Sequence, residues 1–333
     1  GRISGAGGRV RHAACPGATA TRIRAPQRKT VNPRWMLLAG VLTVSLAALI
    51  IRLAAEAPPL VIGAYRLTTA SLVVVPLALM RGELRGLTRA SVVPALLSGA
   101  FLAAHFGFWI SSFEHTSVAS SVVLVTISPL FVAMAAPLFT GDRPTRRMGI
   151  GMLIALAGTG FIAYGDAGAD PGSLWGNFLA VMGAVAVASY YIIGRRLRAS
   201  LSLLAYVALV YPMAAFGLII AASLAGNNLV GYAPPILLWM ALLGLGPQVV
   251  GHTALNWALK YVDPVVVSTV VNAEPVIASL LVWLVLGEAP TLVQAAGGAV
   301  VLAGVYLTVS GETAAARGRK QHSPPLEGGV RGG

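Results

Sequence analysis

An internal repeat is the feature of this sequence that most restricts its fold. Residues 128–145 read SPLFVAMAAPLFTGDRPT, and residues 274–291 read EPVIASLLVWLVLGEAPT. At an offset of 146 positions four residues recur: Pro129 falls on Pro275, Gly141 on Gly287, Pro144 on Pro290 and Thr145 on Thr291. The offset also places Asp142 on a second acid, Glu288. Each copy contains an apolar run of membrane-spanning length. The repeat therefore predicts two homologous halves built from membrane-crossing helices, an arrangement typical of secondary transporters.

The composition supports helices in a lipid bilayer. Hydrophobic residues make up 56% of the chain and charged residues only 11%, whereas soluble domains carry about 25% charged residues. We therefore predict an all-α membrane protein. The net charge of +13 could indicate a nucleic-acid partner, but the positive charges lie in tails and short loops, which indicates membrane orientation instead. No nucleic-acid partner is expected, and the single cysteine, Cys15, allows no intrachain disulfide.

Ten segments approach the length of about 20 apolar residues that a bilayer-crossing helix needs. They are residues 35–55, 59–80, 91–113, 116–139, 147–164, 174–193, 203–224, 234–256, 264–286 and 291–311. Five fall in each half, so we predict a first five-helix repeat at 34–165 and a second at 172–311. Residues 1–33 and 312–333 lack apolar periodicity and are expected to be disordered, basic cytoplasmic tails.

Basic residues lie almost entirely on one side of this arrangement. Of the 24 lysines and arginines, 22 fall in the tails or in loops after even-numbered spans, and only Arg52 and Arg66 do not. By the positive-inside rule, both termini are expected in the cytoplasm. Because five spans per half is an odd number, the second half must be inverted relative to the first. The predicted fold is ten transmembrane helices arranged as two inverted five-helix repeats.

Two ionisable residues stand out within the predicted spans, Glu274 near the middle of the ninth and Arg66 in the second. A charge at the centre of a membrane helix costs roughly 2.5–3.5 kcal/mol on insertion scales, so it usually faces a cavity or a partner. Pro275 follows Glu274, and Pro129 takes the same place in the first repeat, so both prolines are predicted to break their helices. The two ionisable residues either bind substrate or protons, or form a buried ion pair that only locks two helices.

A row of polar residues recurs every four positions in the eighth span: Gln248, His252, Asn256 and Lys260. Residues four apart share one face of an α-helix, with a drift of about 40° per step. This face is predicted to line an aqueous path inside the bundle. The third span carries a weaker counterpart that includes His105 and Trp109. The alternative is that these side chains only form hydrogen bonds between helices, which contribute about 0.6 kcal/mol each.

Motifs of several other protein classes are absent from the sequence. There is no G-x-x-x-x-G-K-[ST] loop, so ATP coupling within the chain is not expected. There is no H-E-x-x-H or G-x-S-x-G motif of the common hydrolases either. We therefore expect no cofactor, no metal and no catalytic residue. A membrane-embedded enzyme that uses His252 and Glu274 for acid–base chemistry is the alternative from another class.

Four stretches carry a resemblance to a known family: APPLVIGAYRL at 57–67, SPLFVAMAAPLFTGDRPT at 128–145, GHTALNWALKYV at 251–262 and EPVIASLLVWLVLGEAPT at 274–291. With them the chain resembles the drug/metabolite transporter superfamily, in its EamA-type branch of ten-helix carriers. The resemblance implies a multi-pass protein of the bacterial inner (plasma) membrane that exports or exchanges small metabolites, such as amino acids or related compounds. It also matches Arg66 to the family's arginine of the second helix and Glu274 to its acid before a proline. The first repeat departs from this pattern, with Ser128 in place of the acid.

These observations predict a secondary active transporter that works by alternating access. Seven residues are expected to form its central site, with Glu274, His252 and Arg66 as binding or coupling groups and Asn256, Trp109, His105 and Gln248 as further lining groups. The expected partners are a small-molecule substrate, membrane lipids and, where transport is coupled, protons. A homodimer is compatible with the sequence. An uncoupled uniporter or exchanger is the alternative mechanism.

Overall fold

A computed structural model describes residue 1 and residues 32–112, 114–116, 121, 124–166, 174–287 and 289–321. In this part of the chain every regular element is helical, and no strand occurs. In chain order the elements are α1 (Pro33–Val44), α2 (Leu46–Leu53), α3 (Pro59–Met80), α4 (Arg89–Ser112), α5 (Ser128–Phe139), α6 (Arg146–Asp166), α7 (Leu174–Leu197), α8 (Leu203–Leu224), α9 (Pro234–Leu243), a π-helical segment (Gly244–His252), α10 (Thr253–Ala258), α11 (Pro264–Val271), α12 (Glu274–Leu286) and α13 (Leu292–Gln321). The predicted all-α fold is confirmed.

Eight helical stretches of the described chain are long and apolar enough to cross a membrane. They are Pro33–Ile51, Pro59–Met80, Arg89–Ser112, Leu174–Leu197, Leu203–Leu224, Pro234–Ala258, Pro264–Val285 and Leu292–Ala315. Of the two other predicted spans, 147–164 falls on α6, and the part of 116–139 from residue 128 falls on α5. Residues 117–120, 122 and 123 of that span lie outside the described chain. Large apolar side chains such as Leu72 and Leu138 point outward and are 71% and 82% exposed. A lipid environment carries no penalty for such a surface, because lipid tails are as apolar as leucine.

The glycine shared by the two repeat copies ends a helix in each of them. α5 ends next to Gly141, which has a φ of 75°, and α12 ends next to Gly287, which has a φ of 76°. Only glycine adopts this left-handed conformation without steric cost. The Gly141 N–H donates to the carbonyl of Ala136 (3.0 Å), and the Gly287 N–H donates to that of Trp283 (2.9 Å). A left-handed glycine therefore ends the helix in both copies, although its N–H bonds the carbonyl five residues back in the first copy and four residues back in the second.

The two halves run in opposite directions, which is visible where α6 packs against α13, the fifth and tenth spans. A Cβ atom added to Gly151 would lie 2.7 Å from the carbonyl oxygen of Gly304, and one added to Gly158 would lie 2.8 Å from that of Gly297. The offset of 146 places Gly151 on Gly297 and Gly158 on Gly304, so the two crossings map onto each other. Residue numbers rise along α6 as they fall along α13. Because equivalent helices are antiparallel, the halves are inverted.

Two other contacts also pair a helix of the first half with a helix of the second. The third span, α4, packs on the sixth, α7, and the first span, α1, packs on the π-helical segment and α10 of the eighth. At the first of these contacts a Cβ on Gly183 would lie 3.5 Å from the His105 carbonyl oxygen, and at the second a Cβ on Gly40 would lie 3.3 Å from that of Gly251. His105 and Gly251 are equivalent at the repeat offset. In both contacts the carbonyl of the equivalent residue therefore faces a glycine on a helix of the other half.

The last helix is longer than the sequence predicts. α13 continues to Gln321, so the first ten residues of the tail predicted at 312–333 are helical and not disordered. The helix is held there by Glu312, whose Oε1 accepts a hydrogen bond from the backbone N–H of Asp263 (2.7 Å), and by Thr313, which accepts one from the Arg34 guanidinium. The remaining tail residues, 322–333 and 2–31, lie outside the described chain.

Replacing Gly304 with valine is expected to destabilise the contact between α6 and α13. A Cβ on Gly304 would lie 2.3 Å from the backbone nitrogen of Ala155, and overpacking of this kind typically costs about 1–3 kcal/mol. Thermal unfolding in detergent micelles measures the effect. Gly160→Val is the matched control, because a Cβ on Gly160 meets nothing within 4 Å. Equal destabilisation by both changes would contradict the close crossing.

Candidate functional site

A buried arginine occupies the centre of the candidate site. Arg66 lies on α3 and is 4% exposed. Its Nε donates a hydrogen bond to Gln248 Oε1 (2.7 Å), and its guanidinium carbon lies 4.6 Å from the ring centroid of Phe106. Among the described residues no carboxylate lies within ion-pair distance of Arg66, and its two Nη groups have no hydrogen-bond partner. The cation is therefore held by an amide and an aromatic face, with donors left for a ligand.

The helix that carries Gln248 is not a continuous α-helix. Residues Gly244–His252 form a π-helical segment with Pro247 inside it. Proline has no N–H to donate and its ring disturbs the preceding turn, and π-helical turns with their i→i+5 hydrogen bonds often occur at functional sites. The prediction of one α-helical face through the whole polar row is therefore wrong for this segment.

The members of the polar row differ in their surroundings. Gln248 and Asn256 are fully buried, His252 is half-buried and Lys260 is exposed. Among the described residues Gln248 Nε2 and His252 Nδ1 are buried without a hydrogen-bond partner. A buried polar atom left unpaired costs about 1–3 kcal/mol. A bound ligand could satisfy these two atoms and the Arg66 Nη groups; Asn272 Nδ2, two residues before Glu274, is also buried without a partner.

The third span contributes a stack of rings beside Arg66. The His105 ring is nearly parallel to that of Trp109, with 6.0 Å between centroids and 8° between planes. His105 Nδ1–H donates to the carbonyl of Gly183 on α7 (2.9 Å). Phe106 lies between the Arg66 guanidinium and His252, whose ring it meets edge-on at 5.9 Å. His105 thus joins α4 to α7, while Phe106 connects the arginine to the histidine of the eighth span.

Asn256 belongs to a network of tyrosines. Its Oδ1 accepts a hydrogen bond from the Tyr190 hydroxyl (2.7 Å), and its Nδ2 donates to the Tyr211 hydroxyl (3.3 Å). The Tyr211 hydroxyl also shares a hydrogen bond with Thr253 Oγ1 (3.0 Å), and all three side chains of Tyr190, Tyr211 and Asn256 are fully buried. Asn256 is therefore bonded at both ends of its amide and positions helices around the site.

Glu274 is placed where the ninth span is interrupted. α11 ends at Val271, α12 begins at Glu274, and Pro275 lies in the first turn of α12. In the first repeat Pro129 takes the same place in α5. The Glu274 side chain is half-buried, and its charge interacts with that of Arg66 without direct contact among the described atoms. The interruption brings a carboxylate and a guanidinium to one region of the bundle.

An ion pair that the sequence did not reveal links the two halves at one end of the bundle. Arg195 at the end of α7 donates from Nε and Nη2 to the two carboxylate oxygens of Asp142, both at 2.9 Å. Its Nη1 donates to the carbonyl of Leu259 (2.7 Å). Close by, burial lowers the pKa of Arg198, which donates to the Asn256 carbonyl (3.3 Å). The loop after α5 is thereby tied to the ends of the sixth and eighth spans.

Comparison with known proteins agrees with this architecture. The EamA-like transporter family matches residues 34–164 and again residues 174–310. The uncharacterized transporter YdfC of Bacillus subtilis (strain 168) is 26% identical over 218 residues, which are 65% of this chain and 71% of that protein. The uncharacterized inner membrane transporter YedA of Escherichia coli (strain K12) is 28% identical over 270 residues, which are 78% of this chain and 85% of that protein. The resemblance drawn from the sequence motifs is confirmed.

A solved crystal structure has the same fold. It superimposes with a TM-score of 0.72 at 21% identity and covers 87% of this chain and 99% of its own. At this identity the likeness supports the fold alone.

Proposed function

Because the chain belongs to the EamA-like transporter family, we propose that it is a secondary active transporter of small metabolites in the bacterial inner membrane, acting as an exporter or exchanger. The family membership and the transporter names of the relatives indicate a multi-pass membrane transporter rather than an enzyme. Two inverted halves supply the means for alternating access, since each half can take the role of the other on the opposite side. In this scheme both termini lie in the cytoplasm.

The observation that supports a substrate site is the group of donors around Arg66. Two Nη groups and Gln248 Nε2 have no partner among the described residues, and a lipid-facing or dry location for them would be costly. A carboxylate matches this set, because it accepts two parallel N–H bonds from a guanidinium and one more from an amide. The proposed substrates are therefore amino acids or related carboxylates.

Glu274 is the proposed coupling group. It is a carboxylate at a helix interruption, close enough to Arg66 for their charges to interact. Protonation of Glu274 would change the net charge beside the substrate, so that proton and substrate could compete or travel in opposite directions. His252 is the second candidate for this role. The alternative mechanism, an uncoupled uniporter or exchanger, would leave transport independent of a proton gradient.

Export from liposomes tests the proposed function. The purified chain would be reconstituted in vesicles loaded with single amino acids and related carboxylates, and the loss of labelled compound would be followed with and without a pH gradient. We expect at least one carboxylate to leave faster than from protein-free vesicles, and its primary amide to be retained. Equal export of acid and amide would contradict the carboxylate site, and no export of any compound would contradict the transporter proposal for this class.

Breaking the Asp142–Arg195 pair is expected to slow transport by opening one end of the bundle. The two side chains are partly exposed, at 23% and 21%, so the loss of the pair should cost about 1 kcal/mol. If the closed end limits transport, this cost corresponds to about a fivefold lower rate. Asp142→Asn tests this in the same liposomes. The double change Asp142→Arg with Arg195→Asp should restore part of the rate, because it rebuilds the ion pair but loses the Arg195 hydrogen bond to the Leu259 carbonyl. Arg143→Gln in the same loop should have no effect. A wild-type rate in Asp142→Asn would contradict a gating role.

A further inference from the structure

A basic cavity on the lipid-facing side of the bundle lies apart from the candidate transport site. It has a volume of about 370 Å³, at the small end of the range of about 300–1,000 Å³ typical of ligand pockets. The start of α1, the start of α6 and the last membrane turns of α13 form it. Its lining residues are Arg34, Arg147, Tyr306, Val309, Ser310, Thr313 and Ala314. None of these seven is acidic.

The polar groups of the cavity suit a phosphate. The Arg34 guanidinium donates to Thr313 Oγ1, which holds it over α13, and the Arg147 side chain is exposed beside it. The neighbouring acid, Glu312, accepts a hydrogen bond from the Asp263 N–H through Oε1 and interacts with Arg34 through its charge alone, so Arg34 keeps donors for a ligand. Because the Thr313 hydroxyl donates to the Val309 carbonyl (2.9 Å), the two guanidinium groups are the strong donors for phosphate oxygens in this cavity.

Close packing of α6 on α13 brings Arg147 to the cavity. A Cβ added to Gly311 would lie 3.2 Å from the Arg147 Cβ and 3.1 Å from the Met148 backbone nitrogen. The absence of a side chain at Gly311 therefore lets the start of α6 approach α13. Arg147 and Thr313 are brought to one cavity by this contact, although they are far apart in sequence.

The depth of the cavity matches the boundary between head groups and acyl chains. Thr313 lies in the last turn of the membrane-crossing stretch Leu292–Ala315. Tyr306 comes seven residues earlier, about 10 Å deeper at 1.5 Å per residue. Tyr306 is 71% exposed and Leu302, one turn further in, is 49% exposed. An apolar track thus continues from the basic cavity toward the bilayer core, where a free phosphate would find no contact.

We propose that this cavity binds the head group of an anionic glycerophospholipid. The phosphodiester lies between Arg34 and Arg147, and an acyl chain follows Tyr306 along α13. Basic pockets between membrane helices at the cytoplasmic surface recognise lipid head groups in this way. The bound lipid would bridge α1 and α6 of the first half to α13 of the second.

Native mass spectrometry of the purified full chain in detergent tests the proposal. Phosphatidylglycerol is titrated against wild type and Arg34→Gln/Arg147→Gln. Each arginine contributes about 1 kcal/mol, so the double variant should bind about 30-fold more weakly. The matched control is Arg85→Gln/Arg89→Gln, which removes two exposed arginines outside the cavity and should bind like wild type. Arg34→Lys/Arg147→Lys, which keeps both charges, should retain most of the binding.

Several results would overturn the lipid site. These are unchanged binding in the Arg34→Gln/Arg147→Gln variant, an equal loss in the control pair, or equal retention of phosphatidylcholine by the wild type. Displacement of phosphatidylglycerol by millimolar inorganic phosphate would assign the cavity to a free anion instead. Thermal unfolding without added lipid checks that the double variant is folded, because loss of the Arg34–Thr313 hydrogen bond should loosen only the end of α13 and leave one cooperative transition.

Discussion

Arg66→Gln is expected to abolish transport while the protein still inserts in the membrane. The guanidinium is the buried cation of the candidate site, and a bound carboxylate would lose both parallel N–H bonds. Removing one partner of a buried, hydrogen-bonded charge pair costs about 2–5 kcal/mol, which corresponds to a loss of at least about 30-fold in substrate affinity. Initial rates in reconstituted liposomes, measured over a range of substrate concentrations, give the effect.

Two further variants identify the cause of that loss. Arg66→Lys keeps the positive charge but loses the paired N–H donors of the planar guanidinium. Its affinity for the substrate should therefore lie between those of wild type and Arg66→Gln. Arg81→Gln removes an exposed arginine directly after the same helix and should transport normally. Wild-type rates and affinity in a folded Arg66→Gln protein would remove Arg66 from the substrate site and leave it a residue that only packs against Phe106 and Gln248.

Glu274→Gln is expected to stop transport driven by a proton gradient but to leave substrate exchange intact. Glutamine keeps the shape of the side chain at the start of α12 and cannot take up or release a proton. If Glu274 carries the coupling proton, net movement against a gradient requires its titration, whereas one-for-one exchange of substrate does not. Gradient-driven export should therefore fall to the level of protein-free vesicles, while counterflow of labelled substrate should continue.

The control for this change is Glu56→Gln, because Glu56 is exposed between the first two spans. It should show both gradient-driven export and counterflow at wild-type rates. Unchanged gradient-driven export by Glu274→Gln at every pH would reduce Glu274 to a structural residue and favour the uncoupled mechanism. Loss of counterflow together with gradient-driven export would place Glu274 in substrate binding instead.

Sequence reasoning could predict the large-scale fold because the membrane restricts it so strongly. Apolar runs of about 20 residues can only be helices in lipid, and the offset of 146 indicates which helices are equivalent. Gly151 and Gly158 match Gly297 and Gly304 at the repeat offset, and the crossed contacts of Gly151 with Gly304 and of Gly158 with Gly297 follow from the inverted repeat. These inferences depend on the length of the apolar runs and on the repeat at an offset of 146, both of which a single sequence displays directly.

The details of the site depend on contacts between distant residues and were less predictable. The Arg195–Asp142 pair joins residues from different halves, and nothing local to either residue selects the other. Tyr211 lies in an apolar span where an aromatic ring is typical of packing, yet its hydroxyl bonds Thr253 and Asn256. Pro247 was visible in the sequence, but whether a proline causes a kink, a break or a π-helical turn is decided by the surrounding helices.

The same limit applies to the end of the chain. Residues 312–321 have no apolar stripe, so the sequence predicted a tail, whereas α13 continues because Glu312 bonds the backbone at Asp263 and Arg34 bonds Thr313. The seven predicted site residues all lie in the described part. The structure brings Arg66, Gln248 and His252 together around Phe106, and it gives Asn256 and His105 partners of their own. Roles for these residues in transport stay predictions.

Sided access to a cysteine at position 252 tests alternating access most directly. His252→Cys, in a chain whose Cys15 is replaced by serine, would be exposed to a charged, membrane-impermeant thiol reagent in right-side-out and in inside-out vesicles. Alternating access predicts labelling from both sides, slowed by a transported substrate, and no labelling of Val250→Cys, since Val250 is 52% exposed on the lipid-facing surface. Labelling of position 252 from one side only under every condition, or equal labelling of position 250, would contradict a central site that opens to each side in turn.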